Sequence, residues 1–224
     1  MNIEETLTTL RKELDPFNCK LIAVSKTKPA QAIMQAFDSG QRDFGENKVQ
    51  ELVTKHETLP KEISWHMIGH LQTNKVKLIA PFVHLIHAVD SRKLLATINK
   101  EAIKNDRVID CLLQMHIARE DSKFGLNQNE LMTLLDEVAA GKFGHVKIKG
   151  LMGMATNTYN EEQVSEEFRG LNNLLLSLQS KYHSNNIDLT ELSIGMSGDY
   201  KLALQQGSTM VRIGSTIFGQ RSYP

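Results

Sequence analysis

Short apolar runs alternate along this chain with longer segments whose apolar positions recur every three or four residues. The runs predict strands at Lys20 to Val24, Asp43 to Gly45, Trp65 to Gly69 and His84 to Val89. Four more are predicted at Ile109 to Ile117, Val146 to Ala155, Glu191 to Met196 and Met210 to Ile213. Helical spacing fills the gaps at Pro29 to Ser39, Lys48 to His56, Gln72 to Ile79 and Ser91 to Lys104. It continues at Gln128 to Ala140, Glu161 to Lys181 and Gly198 to Gln206, and a further amphipathic segment, Ile3 to Leu14, precedes the first strand. The strands lack clean in–out alternation, as expected where helices cover the outer face of a parallel sheet.

Eight β/α units in 224 residues, with no linker or low-complexity stretch, predict one domain over residues 1–224. The matching architecture is a (β/α)8 TIM barrel with an extra N-terminal helix. A doubly wound open sheet is the alternative. Against it, no Gly-x-Gly-x-x-Gly follows the first strand, where such folds carry their phosphate loop.

Composition narrows the function. Acidic and basic residues balance at 26 each, which gives no sign of a nucleic-acid or polyanion partner. The hydrophobic share of 41% supports a real core. Cys19 and Cys111 match no metal or redox spacing and read as buried reduced thiols. The start, Met1-Asn2-Ile3-Glu4-Glu5, is too polar for a signal peptide. No apolar run reaches the roughly 18 residues of a membrane helix. These features predict a soluble cytoplasmic protein.

A barrel of this kind gathers its active groups at the carboxyl ends of its strands and holds phosphate after strands seven and eight. Lys26 follows the first strand in Ser25-Lys26-Thr27-Lys28-Pro29. Burial and the like charge of Lys28 both favour a neutral amine there, able to form a Schiff base with a carbonyl. Glu46 and Asn47 follow strand two, and His70 follows strand three. After strands seven and eight come Met196-Ser197-Gly198-Asp199 and Gly214-Ser215-Thr216. Glycines allow close backbone approach, hydroxyls add donors, and a helix start favours an anion. Each segment alone reads as an ordinary turn. Two on neighbouring strands, across from a lysine, point to a phosphorylated carbonyl ligand: pyridoxal phosphate or a phosphosugar.

Arg212, inside the last apolar run, is either a barrel-interior arginine paired with a carboxylate or a group facing a cofactor's pyridine nitrogen. In the second case it keeps that nitrogen unprotonated, because a guanidinium only donates. His66 and His70 are expected on one side of a strand with no carboxylate or third ligand, so no metal site is assigned. His84 and His87 read as edge or core residues. Lys123, on the same rim, is a solvated loop lysine or a second lysine near the ligand.

These residues carry a family resemblance. Ala23-Val24-Ser25-Lys26-Thr27-Lys28-Pro29, Phe44-Gly45-Glu46-Asn47, and the stretch from Trp65 to Lys75 resemble its signatures. So do His87-Ala88-Val89-Asp90-Ser91, Gly150-Leu151-Met152-Gly153-Met154-Ala155, Leu192 to Asp199, and Gly207 to Gly219. The chain resembles the pyridoxal phosphate homeostasis protein family, also called the proline synthase co-transcribed family, over nearly its whole length. The resemblance implies a single barrel like the N-terminal domain of alanine racemase, with pyridoxal 5'-phosphate as a Schiff base on Lys26. It also implies phosphate contacts from Ser197, Gly214 and Ser215, Arg212 near the pyridine nitrogen, and Asn47 on the rim. The family often carries threonine where Ser215 stands, and either residue supplies a hydroxyl.

By the same resemblance, the role is cofactor binding and release in vitamin B6 homeostasis, with no catalytic residue assigned and apo-enzymes as possible recipients. A fold-type III enzyme such as an amino-acid racemase, and a Schiff-base aldolase acting on a phosphosugar, are the alternatives. The chain ends soon after strand eight, so no second domain is expected to close the site, and a monomer is expected.

Overall fold

A computed structural model of the chain describes residues 2–119 and 124–220. Eight strands pair in sequence order, all parallel, and close into a barrel. They are β1 (Lys20–Val24), β2 (Asp43–Glu46), β3 (Ser64–Met67), β4 (Leu85–Val89), β5 (Ile109–Met115), β6 (Val146–Gly153), β7 (Ile187–Met196) and β8 (Met210–Ile213). The seam joins β1 to β8, with Lys20 opposite Met210 and Ala23 opposite Ile213. Closure leaves no unpaired edge.

Helices cover the outside: α1 (Ile3–Leu14), α2 (Ala30–Asp38), α3 (Val49–Thr58), α4 (Val76–Ile79), α5 (Arg92–Lys104), α6 (Gln128–Ala139), α7 (Glu161–Lys181), α8 (Tyr200–Gln205) and α9 (Ser215–Phe218). Local chemistry sets their ends. Asn2 caps α1 by accepting from the Glu4 and Glu5 amides, and Leu7, Leu10 and Leu14 bury its inner face. Asn127 and Glu130 form a reciprocal capping box on α6. No helix of the described residues is long and apolar enough to cross a membrane.

Several boundaries depart from the expected ones. β7 begins at Ile187 rather than Glu191, because its early residues pair with Ile148 of β6. β3 ends at Met67, so His70 lies in the following loop. The expected helix from Gln72 splits into a 3-10 turn at Thr73–Lys75 and the short α4.

Alternation along the strands divides the interior in two. Leu21, Ala23, Phe44, Trp65, Met67, Leu192, Ile194, Val211 and Ile213 belong to the larger cluster, between barrel and helices. Ile22, Leu85, Ala88, Leu112, Met152 and Met210 form a separate inner cluster. Residues that alternate with the outer set therefore face the axis, and His66, Ser193 and Arg212 are buried there. Cys19 and Cys111 are buried free thiols, and burial pushes the pKa of both upward.

Candidate cofactor site at the carboxyl end of the barrel

The turn after β1 is built to aim Lys26. The Ser25 amide donates to the Gly45 carbonyl at 3.1 Å, and the Lys28 amide donates to the Ser25 carbonyl at 3.0 Å. Thr27 takes a left-handed conformation, with φ 63°, and its amide donates to Glu51 Oε1 at 2.6 Å. Behind the turn, Lys55 Nζ from α3 reaches Glu46 Oε1 at 2.7 Å, Glu51 Oε1 at 2.6 Å and the Ser25 carbonyl at 2.8 Å. The Ser25 hydroxyl also donates to Glu46 Oε1, at 2.6 Å. A buried charge cluster thus grips both flanks of Lys26.

Lys26 lines a cavity of about 280 Å³ at the carboxyl ends of the strands, together with Asn47, Ser197, Arg212, Gly214 and Ser215. Val24, Ile68, Met154 and Met196 supply apolar wall. The six residues singled out from the sequence as cofactor-binding therefore face one space. Asn47 is seated by a close backbone crossing. A Cβ on Gly69 would lie 2.5 Å from the Asn47 carbonyl oxygen, so only glycine fits.

The loops after β7 and β8 meet beside the end of β1, across the seam that closes the barrel. The Gly214 amide donates to Ser197 Oγ at 3.2 Å, joining the two segments, and Asp199 Oδ1 accepts the Met196 amide at 2.6 Å. Gly214 starts α9, a four-residue helix whose period was too short to read from the sequence. A Cβ at Gly214 would sit 3.0 Å from the Val24 carbonyl oxygen. First-turn amides of a helix have no intrahelical acceptor, which suits the mouth of this cavity to an anion.

Arg212 is a barrel-interior arginine, and its guanidinium is held by neutral acceptors. Nη1 donates to the Ser193 carbonyl at 2.7 Å and to Ser193 Oγ at 2.6 Å, and Nη2 donates to the Gly153 carbonyl at 3.1 Å. Burial pushes its pKa down to about 10, which leaves it charged at neutral pH. One face is thus fixed to the barrel, and the residue also lines the cavity.

Other expected rim residues go elsewhere. Glu46 turns out of the barrel into the Lys55 cluster, and burial, outweighing Lys55, pushes its carboxyl up. Lys28 lines the cavity, but its ammonium donates to the Phe218, Gly219 and Gln220 carbonyls at 2.8, 3.0 and 3.2 Å. Those dipoles solvate it, tempering the repulsion that the sequence suggested toward Lys26. Lys123 lies outside the described residues.

The histidines need correction. His66 and His70 each have a carboxylate: His66 Nε2 lies 3.0 Å from Asp43 Oδ1, and His70 Nδ1 lies 3.0 Å from Asp90 Oδ2. Asp43, His66 and His84 bring one donor atom each within 4.8 Å of one another. The strand ends before His70, so the two rings do not share a pleated face. Lys55 was missed altogether. Its signal is its place on the buried stripe Val49, Leu52, Lys55, four residues after Glu51.

Comparison with known proteins decides the family. The family model described as alanine racemase, N-terminal domain, matches residues 1–222. The pyridoxal phosphate homeostasis protein of Aquifex aeolicus is 40% identical over 208 residues, 92% of this chain and 89% of its own. The human protein of the same name is 38% identical over 234 residues, covering 99% of this chain and 83% of its own. The chain belongs to the pyridoxal phosphate homeostasis protein family. Among solved structures, PipY of Synechococcus elongatus is 35% identical over 97% of this chain and all of its own. It superposes with a TM-score of 0.90 without PLP and 0.87 with PLP bound. Alanine racemase from Bartonella henselae, at 16% identity and a TM-score of 0.73 over 61% of its own chain, shares the fold. The closed barrel is the one that the order of strands and helices predicted, and its likeness to the N-terminal domain of alanine racemase is the one that the family resemblance implied.

Proposed function

We propose that this protein binds pyridoxal phosphate as a Schiff base on Lys26 and holds and releases it in cofactor homeostasis, without turning over a substrate. The observation that carries the reading is the shared cavity. Lys26 enters from the end of β1, and Ser197, Gly214 and Ser215 enter from the ends of β7 and β8. When bound, the cofactor supplies an aldehyde that condenses with an amine and a ring that withdraws electrons.

The residues present fit that group. Ser197 ties the two anion loops into one cradle, and Gly214 leaves room that a side chain would fill. Arg212 offers a permanent donor, which suits an unprotonated ring nitrogen and weakens the ring as an electron sink. Asn47 stands at the rim, fixed by Gly69. Its relatives named pyridoxal phosphate homeostasis proteins and the PLP-bound PipY support the same assignment.

The absence of turnover is supported by the lining. Among the described residues lining the cavity, none is a tyrosine, histidine or carboxylate that could act as a second acid–base group. The reading includes a single barrel domain acting as a monomer in the cytoplasm, delivering cofactor to apo-enzymes. Purified protein given pyridoxal phosphate is expected to show a visible absorption band that Lys26→Ala abolishes. A wild type that stays colourless would overturn the reading. Delivery is tested by transfer from loaded protein to an apo-enzyme in the presence of a trap for free cofactor.

A further inference from the structure

Five side chains form one continuous hydrogen-bonded column through the barrel. Arg212 Nη1 donates to Ser193 Oγ at 2.6 Å, and Ser193 Oγ lies 2.9 Å from His87 Nδ1. His87 Nε2 lies 2.9 Å from His66 Nδ1, and His66 Nε2 lies 3.0 Å from Asp43 Oδ1. The column starts at the cavity and ends at the first residue of β2, on the opposite face of the barrel, where the Asp43 side chain is 32% exposed. The four residues between Asp43 and the cavity are buried.

Donor and acceptor chemistry gives the column a direction. A guanidinium only donates, an ionised carboxylate only accepts, and a neutral imidazole has one N–H and one lone pair. Burial keeps both imidazoles neutral, lowering each pKa. Burial also pushes the Asp43 carboxyl up, but the His66 hydrogen bond, with His84 and Lys20 nearby, outweighs it and keeps the group ionised. Facing that carboxylate, His66 must present Nε2–H. Its Nδ1 then accepts from His87 Nε2–H, and His87 Nδ1 accepts from the Ser193 hydroxyl. That arrangement leaves the Ser193 oxygen lone pairs for Arg212. In the reverse order His66 would aim a lone pair at a carboxylate 3.0 Å away. His87 would then donate to Ser193 Oγ, and the Ser193 hydroxyl proton would lose His87 as its acceptor.

We infer that Asp43 is a positioning residue for the cavity, which fixes the tautomers of His66 and His87 from the far face and so sets how Ser193 holds the Arg212 guanidinium. The column stands on its own geometry; its effect on a ligand rests on the proposed binding of pyridoxal phosphate.

Nitrogen-15 spectra of labelled histidines, recorded on the protein without added cofactor, test the column directly. Both rings are expected protonated at Nε2 in the wild type. Asp43→Ala is expected to bring Nδ1-protonated signal into these rings and to weaken pyridoxal phosphate binding by about five- to tenfold, the scale of one ordinary hydrogen bond at the Ser193 end of the column. Asp43→Glu, which keeps an ionised acceptor on that face, is expected to restore both. Nδ1-protonated rings in the wild type would overturn the inference, and that reading stands even where Asp43→Ala is too unstable to study. Tautomers that shift with no change in binding would also overturn it, because the column would then end short of the cavity. If the wild type binds no pyridoxal phosphate, the functional reading fails by itself. The column is then judged by whether Asp43→Ala broadens the Arg212 guanidinium N–H signals, and unchanged signals would overturn it.

Discussion

Two buried polar assemblies support the cavity, and they are built on opposite electrostatic plans. Outside the barrel wall, under α3, the Lys55 ammonium is shared by Glu46, Glu51 and the Ser25 carbonyl. Inside the barrel, neutral Ser193, His87 and His66 fill the space between one cation, Arg212, and one anion, Asp43. The first assembly fixes backbone, the turn that carries Lys26. The second fixes a side chain. Dense charge suits the first task, because several strong bonds converge on one short loop. A single file of neutral groups suits the second, because it carries orientation without placing another charge beside the cavity.

The contrast is broken most severely by removing the shared cation. Lys55→Ala leaves Glu46, fully buried, and Glu51 without their counter-ion. Stranding a buried charge in this way costs about 3–5 kcal/mol. Urea unfolding should show that loss, and cofactor uptake by Lys26 should weaken with it. A change below about 1 kcal/mol would place the pair in the class of hydrated surface bridges and erase the difference between the two assemblies.

Acid separates the assemblies by sign. His66 and His87 are held neutral by burial, so the unfolded chain takes up protons that the folded one refuses. Stability therefore rises with pH through this range. It is expected to fall below about pH 6.5, by at most about 1.4 kcal/mol per pH unit for each histidine. Asp43 adds to the trend at lower pH. Its contribution is present above the ordinary aspartate pKa of about 3.9 and is lost as pH falls through its lower folded value. Glu46 runs the other way. Its raised pKa gives a contribution present below the ordinary glutamate value of about 4.3 and lost as pH rises through the folded value. Acid should thus undermine the column while sparing the cluster. Urea midpoints measured from about pH 7.5 to 5.5 should fall in the wild type, where burial also lowers the His56 pKa, and His66→Gln should flatten part of that limb. An unchanged slope would place the acid-sensitive protons elsewhere.

The sequence disclosed these assemblies unequally. The barrel was legible because strand order in such a fold follows chain order, and the cavity was legible because ligand groups collect at strand ends. Lys26, Asn47, Ser197 and Gly214 needed only a strand boundary to be placed near one another. The column needed register. Residues 43, 66, 87, 193 and 212 come together only through strand pairing, and register shifts interrupt β4 with β5 and β7 with β8. His66 and His70, obvious as a pair in the sequence, are separated by the end of β3. Lys55 was hidden for a simpler reason: a lysine on a helix reads as solvated unless its position on the apolar stripe is weighed first.

The smallest expected effect sharpens the comparison from its far side. Lys104 and Glu101 on α5 form an ion pair at 2.6 Å, as short as the Lys55–Glu51 contact and likewise within one turn of helix. Distance alone would rank the two together. Lys104, however, is 54% exposed, so water already solvates its charge and the side chain loses rotamer freedom to hold the pair. Lys104→Ala should change stability by no more than about 0.5 kcal/mol. Added salt should shrink even that difference, because exposed charges are screened within about a Debye length. A loss approaching that of Lys55→Ala would mean that bond length, rather than burial and the number of partners sharing one ammonium, governs the energy of these pairs.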